Sequence, residues 1–491
     1  MKWNELDQLI RAGKSKEVQE YLQKIPIRSI DRKDRFAIAK IATRVGAVEM
    51  ALKILSPVVR DRDKYAEPPS SAERSEYARA LSRVGGVQEA FKVLHEAKAL
   101  EYPDALLIRA GLHMGYWDYE ASIPYLEKYL LFHDITEYDR LVARSNLYSC
   151  LVYEDRLDDA ERVYEELTQE TDLVQERRLV TGFVQQVRAR YFLKSGQFDK
   201  ASEMISASQE SLSEANDRNA IFSEKWKSVI DLHTKGPNMD VLTQLQSVRD
   251  RAWRSGMYET VRELDLFETK FTRHENKFNH LYFGTPFPKY KERIMKEVGP
   301  GIETRDSYVW RVGHLKESQV LKLTSGRLTS GEAVLKGGSE SHNLIKCLSA
   351  DFYAPATIGT IYAYLFKDEY YDPKSAKQRV QTAISRTNKL FAERGLDLKI
   401  AFDRNSYFLK TDSAFAIQRE VYVDKRSREG VQLRELLSKL GQKSFSSDEA
   451  AKIIDMPKRS MIRVLNFGLE NGILEKRNAG RATEYRFRKS N

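Results

Sequence analysis

A chain of 491 residues, 41% hydrophobic and 31% charged, is long enough for two to four domains with real cores, and no apolar run approaches the roughly 20 residues of a membrane span. Two cysteines, Cys150 and Cys347, are too few and too separated for a disulfide framework or a zinc site, so buried thiols, no metal and no cofactor are expected. The net charge of +10 is unevenly spread: from Pro286 onward there are 38 basic and 25 acidic residues, before it 43 and 46, so either the basic half alone meets a polyanion or its surface lysines merely solubilise the fold.

The opening stretch, MKWNELDQLIRAGK, mixes charge into its apolar positions and lacks a signal-peptide core, which predicts a cytoplasmic protein with no membrane partner. Residues 1–283 then read as helix throughout, with few prolines and no strand-like alternation. A weak repeat runs through them: GAVEMA (Gly46 to Ala51), GVQEA (Gly86 to Ala90), YWDYEA (Tyr116 to Ala121), DRLDDA (Asp155 to Ala160) and GQFDKA (Gly196 to Ala201). GMYETV (Gly256 to Val261) is a sixth candidate. The alanines are 39, 31, 39 and 41 residues apart, and each motif falls between two apolar helical patterns. The pattern resembles tetratricopeptide repeats, in which a small residue turns the chain and a small alanine lets two helices pack closely. That resemblance implies an α-solenoid of helical hairpins. Its aromatics, Tyr116, Trp117, Tyr119, Tyr125, Tyr191, Phe192 and Trp226, either form inter-helix core or line a surface for another protein or a second copy of the chain.

Residues 284–305 carry three prolines and several glycines and read as a linker. Strands are expected at Tyr308 to Val312, Val320 to Thr324 and Glu332 to Lys336, followed by helices at Ser341 to Phe352 and Ala356 to Phe366. The most informative stretch is DPKSAKQRVQTAISRTNKLFAERGLDLKIAFDRNSYFLK, Asp372 to Lys410. Asp372 suits a helix N-cap and Pro373 the first helical position. Ala376, Val380, Ala383, Ile384 and Phe391 form one apolar stripe. The remaining arc carries Lys377, Gln378, Arg379, Thr382, Ser385, Arg386 and Lys389 with no acid among them. Gly395 stops the helix, Leu396, Leu398, Ile400 and Phe402 alternate as a strand, and Tyr407 and Leu409 return.

The segments RVQTAISRTNKLF and NSYFL, with LSADFYAPATIGTIYAYLFKDEYYDP before them, resemble the C-terminal effector of the OmpR/PhoB family of bacterial transcription regulators, over about Asp306 to Thr411. The resemblance implies a winged-helix domain over 306–411, its third helix in the major groove and its hairpin on the adjacent minor groove. Asn405 and Ser406 stand where the family's wing turn usually has glycine, and no receiver domain precedes the segment. Residues 412–429 read as a charged connector with a strand at Glu420 to Val423. Over 430–491 a second helix-turn-helix follows: Val431 to Leu440, a helix capped by Ser446 with Glu449, and a third opened by Pro457 with Met461, Leu465 and Leu469 on one face. Arg459, Arg463 and Asn466 lie opposite, and a hairpin tipped by Asn478-Ala479-Gly480 carries Lys476, Arg477, Arg481, Arg486 and Arg488. This segment is similar to the broad MarR-like class of winged helices.

No phosphate loop, dinucleotide fingerprint or H-E-x-x-H motif occurs, the eight histidines are scattered, and no enzyme is expected. The fold expected is therefore mainly α: a helical-repeat solenoid followed by two winged-helix (α+β) domains. The function expected is binding of double-stranded DNA in transcription regulation. Phosphate contacts are expected from Lys374, Lys377, Lys399, Arg404, Arg477 and Arg481, and base contacts from Gln378, Arg379, Thr382 and Arg386, with Arg459 and Arg463 in the second domain. Lys389 and Lys476 extend the same basic surfaces. Arg379 has the alternative of pairing with an acid inside its domain. The competing function is a protein–protein scaffold whose winged helices bind no DNA.

Overall fold

The computed structural model describes residues 5–6, 9–10, 14–60, 67–98, 101–171, 178–212, 217–302, 305, 307–312, 319–367, 369–412, 415–420, 428–441, 443–470, 473–479 and 482–488. The chain is mainly α, and its contacts divide it into two units: Met1–Glu303 with Thr357–Lys377, and Thr304–Ala356 with Gln378–Asn491. Among the described residues no helix is long and apolar enough to cross a membrane.

The first unit is a run of helices. Helix α1 (Ser15–Gln23) precedes hairpins α2/α3 (Arg35–Arg44, Val48–Val59), α4/α5 (Ser71–Val84, Val87–His95), α6/α7 (Asp104–Gly115, Tyr119–Leu130) and α8/α9 (Glu137–Tyr153, Leu157–Thr171). Then come α10/α11 (Arg178–Lys194, Phe198–Ser211), α12/α13 (Asp217–Lys235, Met239–Arg254), α14/α15 (Tyr258–Thr272, Glu275–Phe283) and a last helix α16, Pro288–Glu297.

The repeat motifs are one backbone device. At Gly46, Gly85, Trp117, Asp155, Gly196 and Gly256 the backbone turns left-handed. The next residue's N–H then donates to the carbonyl five residues earlier, at 2.8–3.0 Å in all six. This closes the helix end and frees the chain to reverse. Five residues beyond each corner a residue is buried: Ala51, Ala90, Ser122, Ala160, Ala201 and Val261. Two registers differ from the sequence reading. The second corner is Gly85 rather than Gly86, and in the third the buried position is Ser122, not Ala121. A serine suffices because its Oγ bridges Ala110 O and Asp118 O, both at 3.1 Å, satisfying the hydroxyl as the helices close.

Most of the aromatics are core: Trp117, Phe192 and Trp226 are buried, Tyr119, Tyr125 and Tyr191 partly so, and Tyr116 is exposed. Cys150 and Cys347 are free and buried. A buried charged node ties four helices together. Glu263 on α14 accepts from Lys225 Nζ of α12 and from the Tyr153 hydroxyl of α8, each at 2.7 Å. Arg293 of α16 stands 3.9 Å away. Burial alone would raise the Glu263 pKa, but Lys225, Arg190 and Arg293 outweigh it and hold the carboxyl down to about 2.

The second unit is mixed. Strands β1 (Ser307–Arg311), β2 (Gln319–Lys322) and β3 (Arg327–Leu328) are followed by α17 (Glu340–Leu348), β4 (Ala356–Thr357) and α18 (Ile358–Leu365), the last counted with the first unit. Then come α19 (Ala376–Glu393), β5 (Lys399–Asp403), β6 (Ser406–Lys410) and β7 (Phe415–Glu420). The chain ends with α20 (Arg428–Leu440), β8 (Phe445–Ser446), α21 (Ser447–Ile454), α22 (Lys458–Glu470), β9 (Leu474–Ala479) and β10 (Ala482–Phe487). Three small sheets form, ordered β1-β7-β2-β3, β4-β6-β5 and β8-β10-β9.

Several expected boundaries move. The start of 412–429 is not a loose connector: Phe415, Ala416 and Ile417 are buried in β7, which lies between β1 (antiparallel) and β2 (parallel). Of the strand expected at Glu420 to Val423, Glu420 is the last residue of β7 and the rest lies outside the described residues. Glu332 to Lys336 forms only a single bridge, Ala333 with Arg327, because Gly326 and Gly331 turn the chain left-handed beside it. The helix expected over Ser341 to Phe352 stops at Leu348. Helix α19 starts at Ala376 rather than after Asp372, because the Asp372 carboxylate takes Lys374 N (3.0 Å) and Ser375 Oγ (2.7 Å) into a local turn.

Candidate nucleic-acid interface

Helix α19 separates its faces as its sequence dictates. Ala376, Val380, Ala383, Ile384, Thr387 and Phe391 are buried, while Lys377, Gln378, Thr382, Arg386 and Lys389 are exposed. Arg379 is half-buried, and Lys374 sits exposed in the turn before the helix. The Thr382 hydroxyl donates to Gln378 O at 2.9 Å, so it is already engaged on its own helix.

Two side chains that sequence reasoning passed over hold this helix in place. Asn388 donates through Nδ2 to Ile400 O (3.1 Å) and accepts at Oδ1 from Ile400 N (2.8 Å), locking β5 to α19. Thr387 Oγ1 donates to Ala383 O at 2.8 Å and meets the Ser341 hydroxyl at 2.9 Å, tying α19 to α17. The signal was available: both are polar residues on or beside the apolar stripe, where an unpartnered amide or hydroxyl would be costly. Behind them the buried His342 accepts at Nδ1 from Gly338 N (2.8 Å), leaving Nε2–H to donate to Leu323 O (2.6 Å).

The hairpin after α19 closes at Asp403 and Ser406 around two residues, Arg404 (φ 46°) and Asn405 (φ 62°). Both are left-handed, the geometry of a primed two-residue turn, so the turn forms without glycine. Asparagine tolerates that region; an arginine there costs about 1 kcal/mol. Leu398, Ile400, Tyr407 and Leu409 are buried, but Phe402, expected on the same inward face, is 59% exposed near the turn. Lys399 alternates outward as its strand requires and meets Asp412 at 2.8 Å. Arg386 stands 3.9 Å from Glu340, Lys389 3.8 Å from Glu393 and Arg404 3.8 Å from Asp403. The acid-free run in sequence is therefore not acid-free in space.

The last segment repeats the plan. Ser446 and Glu449 form the expected capping box, and α21 ends on a left-handed Asp455. Met461, Val464 and Leu465 are buried on α22, whereas Arg459 and Arg463 are exposed, as is Lys476 on β9. Lys458 pairs with Asp448 at 2.8 Å. The side chain of Arg477 and the whole of Arg481 lie outside the described residues.

Helix α18 is fastened to the helical repeats. The Thr357 hydroxyl donates to Val84 O at 2.6 Å, and Tyr371 N donates to Glu89 Oε2 at 2.6 Å. Glu89 also pairs with Arg60, whose guanidinium lies 5.2 Å from the Tyr370 ring. A side chain at Gly359 would put its Cβ 2.2 Å from Val84 O, so only glycine permits this approach. Among the described residues no cluster of His, Cys, Asp or Glu could hold a metal ion. No protein-family model matches the chain, and no curated protein matches it in sequence.

Proposed function

We propose that this chain binds double-stranded DNA through two winged-helix domains and regulates transcription. On this reading the tetratricopeptide-like helical unit engages another protein or a second copy of the chain. The observation that carries the reading is a repeated plan. Helix, short strand, two helices and a hairpin occur twice, α17 to β6 and α20 to β10. Both sheets place the short strand beside the last strand. In each, the helix before the hairpin buries its apolar stripe and leaves basic side chains exposed, Lys377, Arg386 and Lys389 on α19 and Arg459 and Arg463 on α22. That is the geometry in which a helix enters the major groove with a wing beside it. Large apolar side chains left on the first unit, among them Leu131, Tyr138, Met239 and Trp253, support its role as a protein-binding surface.

The scaffold reading is favoured by one feature, the carboxylates that stand within 4.0 Å of Arg386, Lys389, Lys399 and Arg404. Exposed pairs of this kind are weak and screened by salt, so a duplex phosphate displaces the carboxylate readily. The deciding experiment measures duplex affinity of the full chain against salt for wild type, Arg386→Ala and Lys399→Ala. Arg386→Ala is expected to weaken the preferred site by about 1–3 kcal/mol and relax one position. Lys399→Ala is expected to weaken all sequences alike and lower the salt slope by about one unit. A flat salt dependence of the wild type refutes DNA binding.

A further inference from the structure

Cations also gather inside the helical unit, where the DNA reading has no use for them. A cavity of about 320 Å³ lies among α10, α12, α14 and α16. Leu193, Trp226, Val229 and Phe267 give it an apolar floor. Arg190, Lys194, Lys270 and Arg293 line it against two carboxylates, Asp155 and Glu297. Those carboxylates are taken: Asp155 by Lys194 and by Lys296 at 2.8 Å, Glu297 by Arg293 at 2.5 Å and Lys270 at 3.6 Å.

Arg190 is different. It is only 8% exposed, its guanidinium lies 3.4 Å from the Tyr153 ring centre and 5.0 Å from that of Trp226, and it makes no hydrogen bond or ion pair among the described residues. A buried guanidinium is ordinarily given a carboxylate to fork onto, because its N–H donors are costly to strip of water. Stacking on two rings satisfies its faces and leaves those donors unused. The neighbouring groups report the same positive field. Burial, aided by Arg293 and Arg190, holds the Lys194 ammonium below its ordinary pKa despite Asp155, and burial with Lys270 does the same to His233.

We infer that this cavity binds a small organic anion, a carboxylate carried on an apolar or aromatic body. Arg190 forks onto the carboxylate, Lys194 and Lys270 complete its charge, and Trp226 and Phe267 cover the body. The apolar floor selects against inorganic phosphate, which would leave that surface bare. The carboxylate belongs either to a free acid or to the C-terminus of a short peptide; the chemistry at Arg190 is the same.

The test is isothermal titration of the full chain with phenylacetate, indole-3-acetate, decanoate, the peptide Ala-Ala-Phe, its C-terminal amide and inorganic phosphate. At least one carboxylate is expected to saturate, with its amide counterpart about tenfold weaker or worse. A peptide that outbinds every free acid assigns the source as a chain terminus, and the reverse assigns it as a metabolite-sized acid. Arg190→Gln is expected to weaken binding about tenfold. Lys270→Gln, at a more exposed position that tolerates change, should weaken it severalfold, while Lys227→Gln on the outer face of α12 should leave it unchanged. Absence of saturable binding by every carboxylate, binding indifferent to both Arg190→Gln and Lys270→Gln, or phosphate binding tighter than every carboxylate overturns the proposal.

Discussion

Glu263 and Arg386 are both in ion pairs, yet the pairs are of opposite kinds. The Glu263 side chain is 5% exposed and its Lys225 partner 3%, in contact at 2.7 Å. The Arg386 side chain is 73% exposed and its Glu340 partner 40%, at 3.9 Å. In the helical unit charge has been taken out of water and must be satisfied internally. In the second unit it is left in water, where a weak pairing is exchanged at little cost. Paired buried charge therefore reports on how the repeats are held, whereas the buried but unpaired Arg190 and the exposed charge of the second unit report on what the protein meets.

The sharpest way to break this contrast is Glu263→Gln. With the folded carboxyl held down to about 2, well below an ordinary carboxyl, the ionised form of Glu263 stabilises the fold at pH 7, offset in part by the burial that lowers the pKa of the Lys225 ammonium. Because the folded pKa is depressed, that contribution is complete above about pH 5 and fades as pH falls toward 2. Hydrogen exchange of α8, α12 and α14 in the full chain should show a large loss of protection for the variant at neutral pH, narrowing in acid. Arg386→Ala should leave exchange unchanged within about 0.5 kcal/mol. Equal losses for the two would dissolve the distinction between the units.

How far the sequence reached follows the same line. The apolar stripe of α19, the capping box at Ser446 and the left-handed Gly395 are local, and each occurs where its residues demand. The repeat corners were legible as glycine-bearing motifs, but the register slipped by one residue at two of them, where Gly85 rather than Gly86 makes the turn and where Trp117 makes it without glycine. What stayed hidden depends on residues distant in sequence. The placing of β7 between β1 and β2 joins positions about a hundred residues apart. The Glu263 node needs four helices at once. The Asn388–Ile400 lock and the docking of Gly359 on Val84 likewise leave no periodic trace.

Gly359 offers a second, intermediate test, since it joins α18 to the repeats through backbone contact rather than charge. Gly359→Ala would place a methyl 2.2 Å from Val84 O and 2.8 Å from its carbonyl carbon, neither of which a side-chain rotation relieves. A cost of about 2 kcal/mol is expected, read as faster exchange or proteolysis across residues 357–367, α4 and α5. Gly111→Ala, in a helix with nothing within 4 Å of the new methyl, should instead stabilise by about 0.5–1 kcal/mol. Loss at both would point to glycine flexibility in general, and loss at neither would mean that the docking of α18 contributes little.

The smallest effect is the most informative about the exposed cations. Arg404 holds a left-handed conformation that glycine adopts freely, and its guanidinium stands 3.8 Å from Asp403. Relieving the strain gains about 1 kcal/mol, of which the greater freedom of glycine in the unfolded chain returns part, so Arg404→Gly should stabilise the β5–β6 hairpin by a few tenths to about 1 kcal/mol. Asn405→Gly should do the same without altering charge. If Arg404 is kept in that conformation to meet a phosphate, its replacement should lower the salt slope of duplex binding by about one unit, and Asn405→Gly should not. Stability rising while duplex affinity falls, in one variant and not the other, would identify strain retained for a partner. A gain in stability with unchanged affinity in both would make the β5–β6 turn a structural accident and, on the DNA reading, leave the phosphate contacts to Lys399 and the arc of α19.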